Sequence, residues 1–360
     1  MPVNRRETIG VHRVPEPTAP VVHALGFSWR KRPLVRQFLG GSKIRFIRSS
    51  AQVPNGGTLA VWASGPFGST LADAGQSPRF KKLFIEDGFL RSVGLGADLV
   101  RPLSWVIDCR GIHYDASRPN DLEHLLQTFV FDGATLARAA ALRNDLVSSG
   151  LTKYNVGTRL WQRPAQAGHK PVVLVPGQVE TDASIRYGAP GINTNLDLLK
   201  AVRAAHPLAW LLYKPHPDVL AGLRSKGEQE DQAGRWCDEV VGDVAMGALL
   251  GAVDSVHVMT SLAGFEALLR GKTVVCHGLP FYAGWGLTQD VLQASRRSRK
   301  LAIDELVAGA LLLYPTYISR VTGHVCQPEQ TLAELAVWQS SAPVSLPFWR
   351  KIVRLLIRRP

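Results

Sequence analysis

Four residues of this sequence combine reactive side chains with settings that constrain them: Glu86, Asp87, Asp182 and His216. Glu86 and Asp87 follow the apolar run Lys82–Ile85 and precede Gly88. Along a strand they would point to opposite faces. One of them could then serve as general acid or base, with Gly88 allowing close substrate approach. The same pair also suits a helix N-cap or an ion pair with Arg91. Asp182 lies between Gln178 and Ser184, in a loop flanked by Gly177 and Gly188. Such a carboxylate could be a nucleophile or base at an anomeric carbon, or could stabilise a turn. His216 sits between Pro215 and Pro217, which fix the backbone and remove two amide donors. A stiffly held imidazole suits a phosphate or carboxylate contact, with Lys214 adding charge; a backbone hydrogen bond is the plainer use.

These residues need elements to place them. Short apolar runs at Val21–Leu25, Lys43–Ile47, Leu59–Trp62, Lys82–Ile85 and Trp105–Asp108 read as strands, with helical spacing over Asp121–Gln127 and Leu136–Val147. A second set of strands covers Val172–Val175, Trp210–Tyr213, Glu239–Val241, Ser255–Val258 and Thr273–Cys276. Leu196–Ala204, Ala245–Leu250 and Leu262–Leu269 read as its helices. Alternating strands and helices imply an α/β fold with parallel sheets covered on both faces. Ligands of such sheets bind beyond the carboxyl ends of the strands, which is where the polar and glycine-rich segments fall. Thr260 and Ser261 open one strand-to-helix turn and could hold a phosphate at the helix N-terminus or simply cap it. Phe281, Tyr282 and Trp285, spaced by glycines, could wall a pocket or pack a core.

A chain of 360 residues suits two domains. They are expected over 21–160 and 165–340, after a loose leader over 1–20 and before a basic tail over 345–360. The helices Ile303–Leu313 and Thr331–Gln339 are expected to pack across or beside the second domain. The formal charge of +13 points to anionic partners. Cys109, Cys237, Cys276 and Cys326 are far apart and form no CxxC pair, which argues against a zinc ribbon or disulfide framework and suits a reducing cytoplasm. No apolar run approaches the roughly 20 residues needed to cross a bilayer, and no nucleic-acid recognition module with suitably placed aromatics is present.

Taken together, the stretches FIEDGFLRSVGLG, PLSWVIDCRGIHYDASRPNDLE, VLVPGQVETDASIRYG, YKPHPDVLAG, TSLAGFEALLRGK and GLPFYAGWGLTQD resemble the retaining β-Kdo transferases of Gram-negative capsule assembly, the KpsC type. That family usually carries two transferase modules in tandem; this chain has room for one and resembles the second. The resemblance implies a GT-B-like fold, two Rossmann-like domains facing a central cleft, with the acceptor on the N-terminal side. It also implies a CMP-Kdo donor, a Kdo-terminated glycolipid acceptor and retention of configuration, with no metal or other cofactor. On this footing Asp182 is the nucleophile and Glu86 or Asp87 the acid/base. Lys214, His216, Pro217, Thr260, Ser261, Gly264 and Glu266 would bind CMP. Gly88, Arg91, Gln178, Ser184, Tyr282 and Trp285 would line the donor and acceptor pocket.

The tail fits an inner-membrane location. In Phe348–Arg359, Trp349, Ile352, Val353 and Leu356 share one helical face while Arg350, Arg354 and Arg358 share another. Such a helix would lie on an anionic membrane surface, where other capsule assembly proteins would be partners. Two rivals stand beside the transferase reading: a sugar-nucleotide epimerase, and a non-catalytic capsule assembly or export factor.

Overall fold

The computed structural model describes residues 21–341 apart from 75, 76, 78, 96–99 and 158. The expected leader and the amphipathic tail lie outside the described residues.

Among the described residues thirteen strands run in chain order. They are β1 Val21–Leu25, β2 Lys43–Ile47, β3 Gly57–Trp62, β4 Phe80–Asp87, β5 Ser104–Asp108, β6 Val172–Pro176, β7 Trp210–Lys214, β8 Glu239–Val240, β9 Ser255–Val258, β10 Thr273–Cys276, β11 Gln289–Asp290, β12 Pro315–Ile318 and β13 Val325–Cys326. They form a seven-stranded sheet, ordered β13-β12-β5-β4-β3-β1-β2, and a six-stranded sheet, ordered β11-β10-β9-β6-β7-β8. The second sheet is parallel throughout. Its central strand β6, Val-Val-Leu-Val-Pro, is buried at every position, as a strand covered on both faces must be.

The first sheet departs from the expected parallel arrangement. β1 to β4 pair in parallel, but β5 runs antiparallel to β4 and to β12, and β13 runs antiparallel to β12. A parallel neighbour needs a crossover, usually a helix. No helix lies among the described residues of 88–103, and β5 pairs with β4 in the antiparallel sense.

The end of the chain also departs from expectation. β12 and β13 belong to the first sheet, so the second unit does not run on unbroken to residue 340. The helix Ile303–Val307 continues as a π-helical turn over Ala308–Leu313 and packs on the helix Gly133–Ser148, as does the helix Pro328–Ser341. These last helices therefore lie against the first unit, not beside the second. The packing is close: a Cβ on Gly309 would come within 2.5 Å of Leu126 Cδ2 in the helix Asp121–Thr128. Arg143 and Asp304 pair across this contact at 2.8 Å.

One apolar cluster joins the two sheets. It runs from Leu59 and Val61 of β3 through Phe89 and Phe281 to Val256 and Val258 of β9. Glu123, on the first unit, accepts from Arg296 at 2.7 Å and from the nearly inaccessible Arg297 at 3.0 Å. Both arginines come from the segment that leads the chain back from the second sheet.

Candidate active site

Residues after β1, β4, β6, β7 and β9 line one cleft of about 1030 Å³, so the walls come from both sheets. Glu86 and Asp87 both reach it, yet their bonding separates them. Glu86 accepts from the Ser64 amide at 3.2 Å and from the Asp87 amide at 3.1 Å. Burial, then the charge of Asp87, pushes the Glu86 carboxyl above its usual range, with the Ser64 bond and Lys31 opposing. A carboxyl so placed holds its proton longer and is a stronger base once ionised. Asp87 instead takes the guanidinium of buried Arg91 at 2.6 Å. Arg91 also donates to Ser92 Oγ at 2.8 Å and to the Val100 carbonyl at 3.2 Å. Asp87 and Arg91 thus brace the loop after β4, whereas Glu86 is held by backbone amides and pairs with no guanidinium among the described residues.

Asp182 stands across the cleft, at the N-terminus of the helix Ala183–Gly188, where its side chain makes no capping bond. Its Oδ1 accepts from Arg224 in a half-exposed ion pair, and Oδ2 accepts nothing among the described residues. Ser184 lines the same wall.

His216 caps the short helix Pro217–Leu220: its Nδ1 accepts from the Asp218 amide at 3.2 Å. Burial, then Lys153 and Arg224, pulls the imidazole down to about 4, so it is neutral at pH 7. With Nδ1 accepting, the proton belongs on Nε2, which makes the ring a donor. Lys214 is buried and gives its ammonium to the carbonyls of Gly242 and Val244, both at 2.8 Å. Burial lowers it to about 8. It ties down the loop beyond β8 more than it offers charge to a ligand. Gln178 clamps Thr260 from both sides, its Nε2 donating to Oγ1 at 2.9 Å and its Oε1 accepting from the Thr260 amide at 2.9 Å. Ser261 caps the helix Leu262–Leu269. Thr260, Ser261 and Pro217 line the cleft.

Four expected site residues are placed elsewhere. Tyr282 and Trp285 are fully buried, Tyr282 donating to the Ser261 carbonyl and Trp285 to the Phe281 carbonyl at 2.8 Å. They pack the core behind the site. Gly264 serves that packing: a Cβ there would lie 2.2 Å from Tyr282 Oη, so the glycine admits the tyrosine and not a phosphate. Gly88 admits Ser104 of β5, whose Oγ would stand 2.4 Å from a Cβ, and not a substrate. The aromatic wall exists, but Phe89 and Phe281 form it, stacked at 4.6 Å, with His113 edge-on to Phe89 at 4.9 Å.

Several cleft residues escaped the sequence reading. Lys153 lies in the connector between the units. Burial disfavours its charge, but Tyr154, Asp87 and Glu86 outweigh that and raise its pKa. Its amide donates to Glu266 at 2.7 Å. Glu266 lines the cleft as expected, and burial lifts its carboxyl to about 7. Lys31, after β1, rests on the Trp62 ring with Nζ 2.9 Å from the centroid; burial brings it down to about 8. No signal beyond the basic composition marked either lysine in advance. Among the described residues, no three His, Cys, Asp or Glu side chains are placed to hold a metal ion.

A cleft with two differently bonded carboxyls, a neutral histidine donor and several cations suits transfer chemistry on an anionic substrate. Residues 69–325 match the family described as capsule polysaccharide biosynthesis protein. The capsule polysaccharide modification protein LipA of Neisseria meningitidis serogroup A is 42% identical over 327 residues, covering 89% of this chain and 46% of that protein. The lipopolysaccharide-processing protein LpsZ of Rhizobium meliloti is 43% identical over 73% of this chain and 60% of its own length. The chain thus spans about half the length of the curated relatives it matches. Among solved structures, the β-Kdo 2,7 transferase of Thermosulfurimonas dismutans KpsC is 37% identical with a TM-score of 0.73, covering 88% of this chain and 99% of that one. The β-Kdo 2,4 transferase of the same KpsC is 32% identical with a TM-score of 0.78, covering 88% and 98%.

Proposed function

The chain belongs to the capsule polysaccharide biosynthesis protein family, and from that premise we propose that it is a glycosyltransferase moving β-Kdo from CMP-Kdo to a Kdo-containing glycolipid. The observation that carries the reading is that Asp182 and Glu86, from different sheets, face one cationic cleft in a chain that spans nearly the whole of a solved β-Kdo transferase. In this reading the two units form a GT-B-like pair of Rossmann-like domains, and the first holds the acceptor.

Asp182 Oδ2 attacks the anomeric carbon of Kdo, and CMP departs with the bonding electrons. The Nε2 proton of His216, the hydroxyls of Thr260 and Ser261, and the charge of Lys153 receive its phosphate. The acceptor hydroxyl then attacks the Kdo–Asp182 ester, Glu86 takes its proton, and Asp182 leaves as carboxylate. Two inversions return the original configuration. The basic side chains suffice to neutralise a single phosphate, so a chelator leaves turnover unchanged. The acceptor, a glycolipid, places the enzyme at the cytoplasmic face of the inner membrane among other capsule assembly proteins. The described residues include no helix long and apolar enough to cross a membrane.

Replacement of the nucleophile tests this. Asp182→Ala should lose transfer by about a thousandfold or more, while its circular dichroism and melting temperature stay near those of the wild type. Transfer at the wild-type rate would remove Asp182 from the mechanism.

A further inference from the structure

Tyr114 belongs to the segment that leaves β5, and its ring borders the cleft. Its hydroxyl oxygen is buried, and no protein atom among the described residues hydrogen-bonds to it. A buried phenol ordinarily finds a partner, because giving up water without replacement destabilises the fold. Burial, then the charges of Glu86, Asp115, Tyr187 and Asp182, keep the group protonated. It is therefore a donor without an acceptor. Neither candidate catalytic carboxyl takes its proton: Glu86 accepts from two amides and Asp182 from Arg224. The same wall carries Phe89 and Phe281, so a phenylalanine would meet the packing need at position 114 without an unmet hydroxyl.

We propose that Tyr114 is a catalytic residue whose hydroxyl donates a hydrogen bond to the carboxylate beside the anomeric carbon of the bound sugar acid. This rests on the proposed function, and it adds a contact that neither carboxyl supplies. The anomeric carbon of Kdo bears that carboxylate, so the donor brings the missing acceptor. Held by Tyr114, the anomeric carbon is kept in front of Asp182.

Tyr114→Phe separates a substrate contact from a packing role, because the two have opposite signatures. Without ligand, the variant should melt at or above the wild-type temperature, since only an unpartnered hydroxyl is lost. Its affinity for CMP, which lacks the sugar carboxylate, should be unchanged by calorimetry. Its kcat/KM for CMP-Kdo should fall about ten- to a hundredfold, the loss expected for one hydrogen bond to a charged group. A kcat/KM within twofold of wild type, a lower melting temperature, or an equal loss of CMP affinity overturns the proposal. Wild-type protein that binds CMP-Kdo but does not consume it sinks the transferase reading alone. The Tyr114 contact is then read as weaker CMP-Kdo binding in the variant, and equal binding counts against it. Wild-type protein that does not bind CMP-Kdo overturns both.

Discussion

In the proposed mechanism His216 has two jobs, one for each ring nitrogen, and they can be pulled apart. Nδ1 caps a helix, and Nε2 is the nitrogen proposed to donate to the nucleotide. Asparagine can cap but has no group in the place of Nε2–H. His216→Asn should keep the wild-type melting temperature within a few degrees and lose CMP affinity about tenfold by calorimetry; His216→Ala should lose both. CMP affinity unchanged in both variants would remove the nucleotide role. At this scale the sequence set Asp182, Glu86 and His216 at or beyond strand ends, and all three line the cleft, because polar residues there are placed by the strands themselves. It misled at Tyr282, Trp285, Gly264 and Gly88, where the glycines serve packing between protein groups. A glycine read in sequence does not say what approaches it. Lys31, Lys153 and Tyr114 stood outside the chemistry read from the sequence, and only folding brings them to the cleft.

Elements couple through buried polar contacts, and Glu266 is the clearest case. It projects from the helix Leu262–Leu269 of the second unit to the Lys153 amide in the connector, at 2.7 Å. Burial lifts its carboxyl from 4.5 to about 7. A carboxyl raised in the folded state costs no stability below pH 4.5 and costs progressively more as pH rises through about 7. Gln keeps the acceptor oxygen and cannot ionise. Denaturant unfolding of Glu266→Gln should match wild type near pH 4.5 and exceed it at pH 8 by about 3 kcal/mol. A difference that does not change with pH would contradict the burial account. Most strands were legible as apolar runs, from Val21–Leu25 to Thr273–Cys276. β12 and β13 were not, since Pro315–Ile318 and Val325–Cys326 are short and acquire their identity only by pairing at the far edge of the first sheet.

The whole molecule is held by a chain that leaves the first sheet, builds the second and comes back. No local pattern shows such a return, because its evidence lies in contacts nearly two hundred residues apart. Glu123 with Arg296 and Arg297 fastens it. Removing one partner of a buried pair leaves charges uncompensated, so Glu123→Ala should destabilise the protein by about 3–5 kcal/mol. Because Arg297 also donates to the carbonyl of Pro280 in the cleft wall, transfer should fail at a lower temperature than in the wild type; unchanged stability would show that this ion-pair cluster does not fasten the units. The two solved transferases divide here as well. Sequence identity is higher with the 2,7 enzyme and superposition closer with the 2,4 enzyme, so the linkage must be read from the product.

That product is also the most direct test of the transferase account. The protein is incubated with CMP-Kdo and a short Kdo-terminated acceptor, and the mixture is analysed by mass spectrometry and NMR. The account predicts an acceptor extended by one β-linked Kdo, with CMP released in equal amount and no extension by Asp182→Ala. CMP-Kdo left intact, or converted to another nucleotide sugar without acceptor, would contradict it.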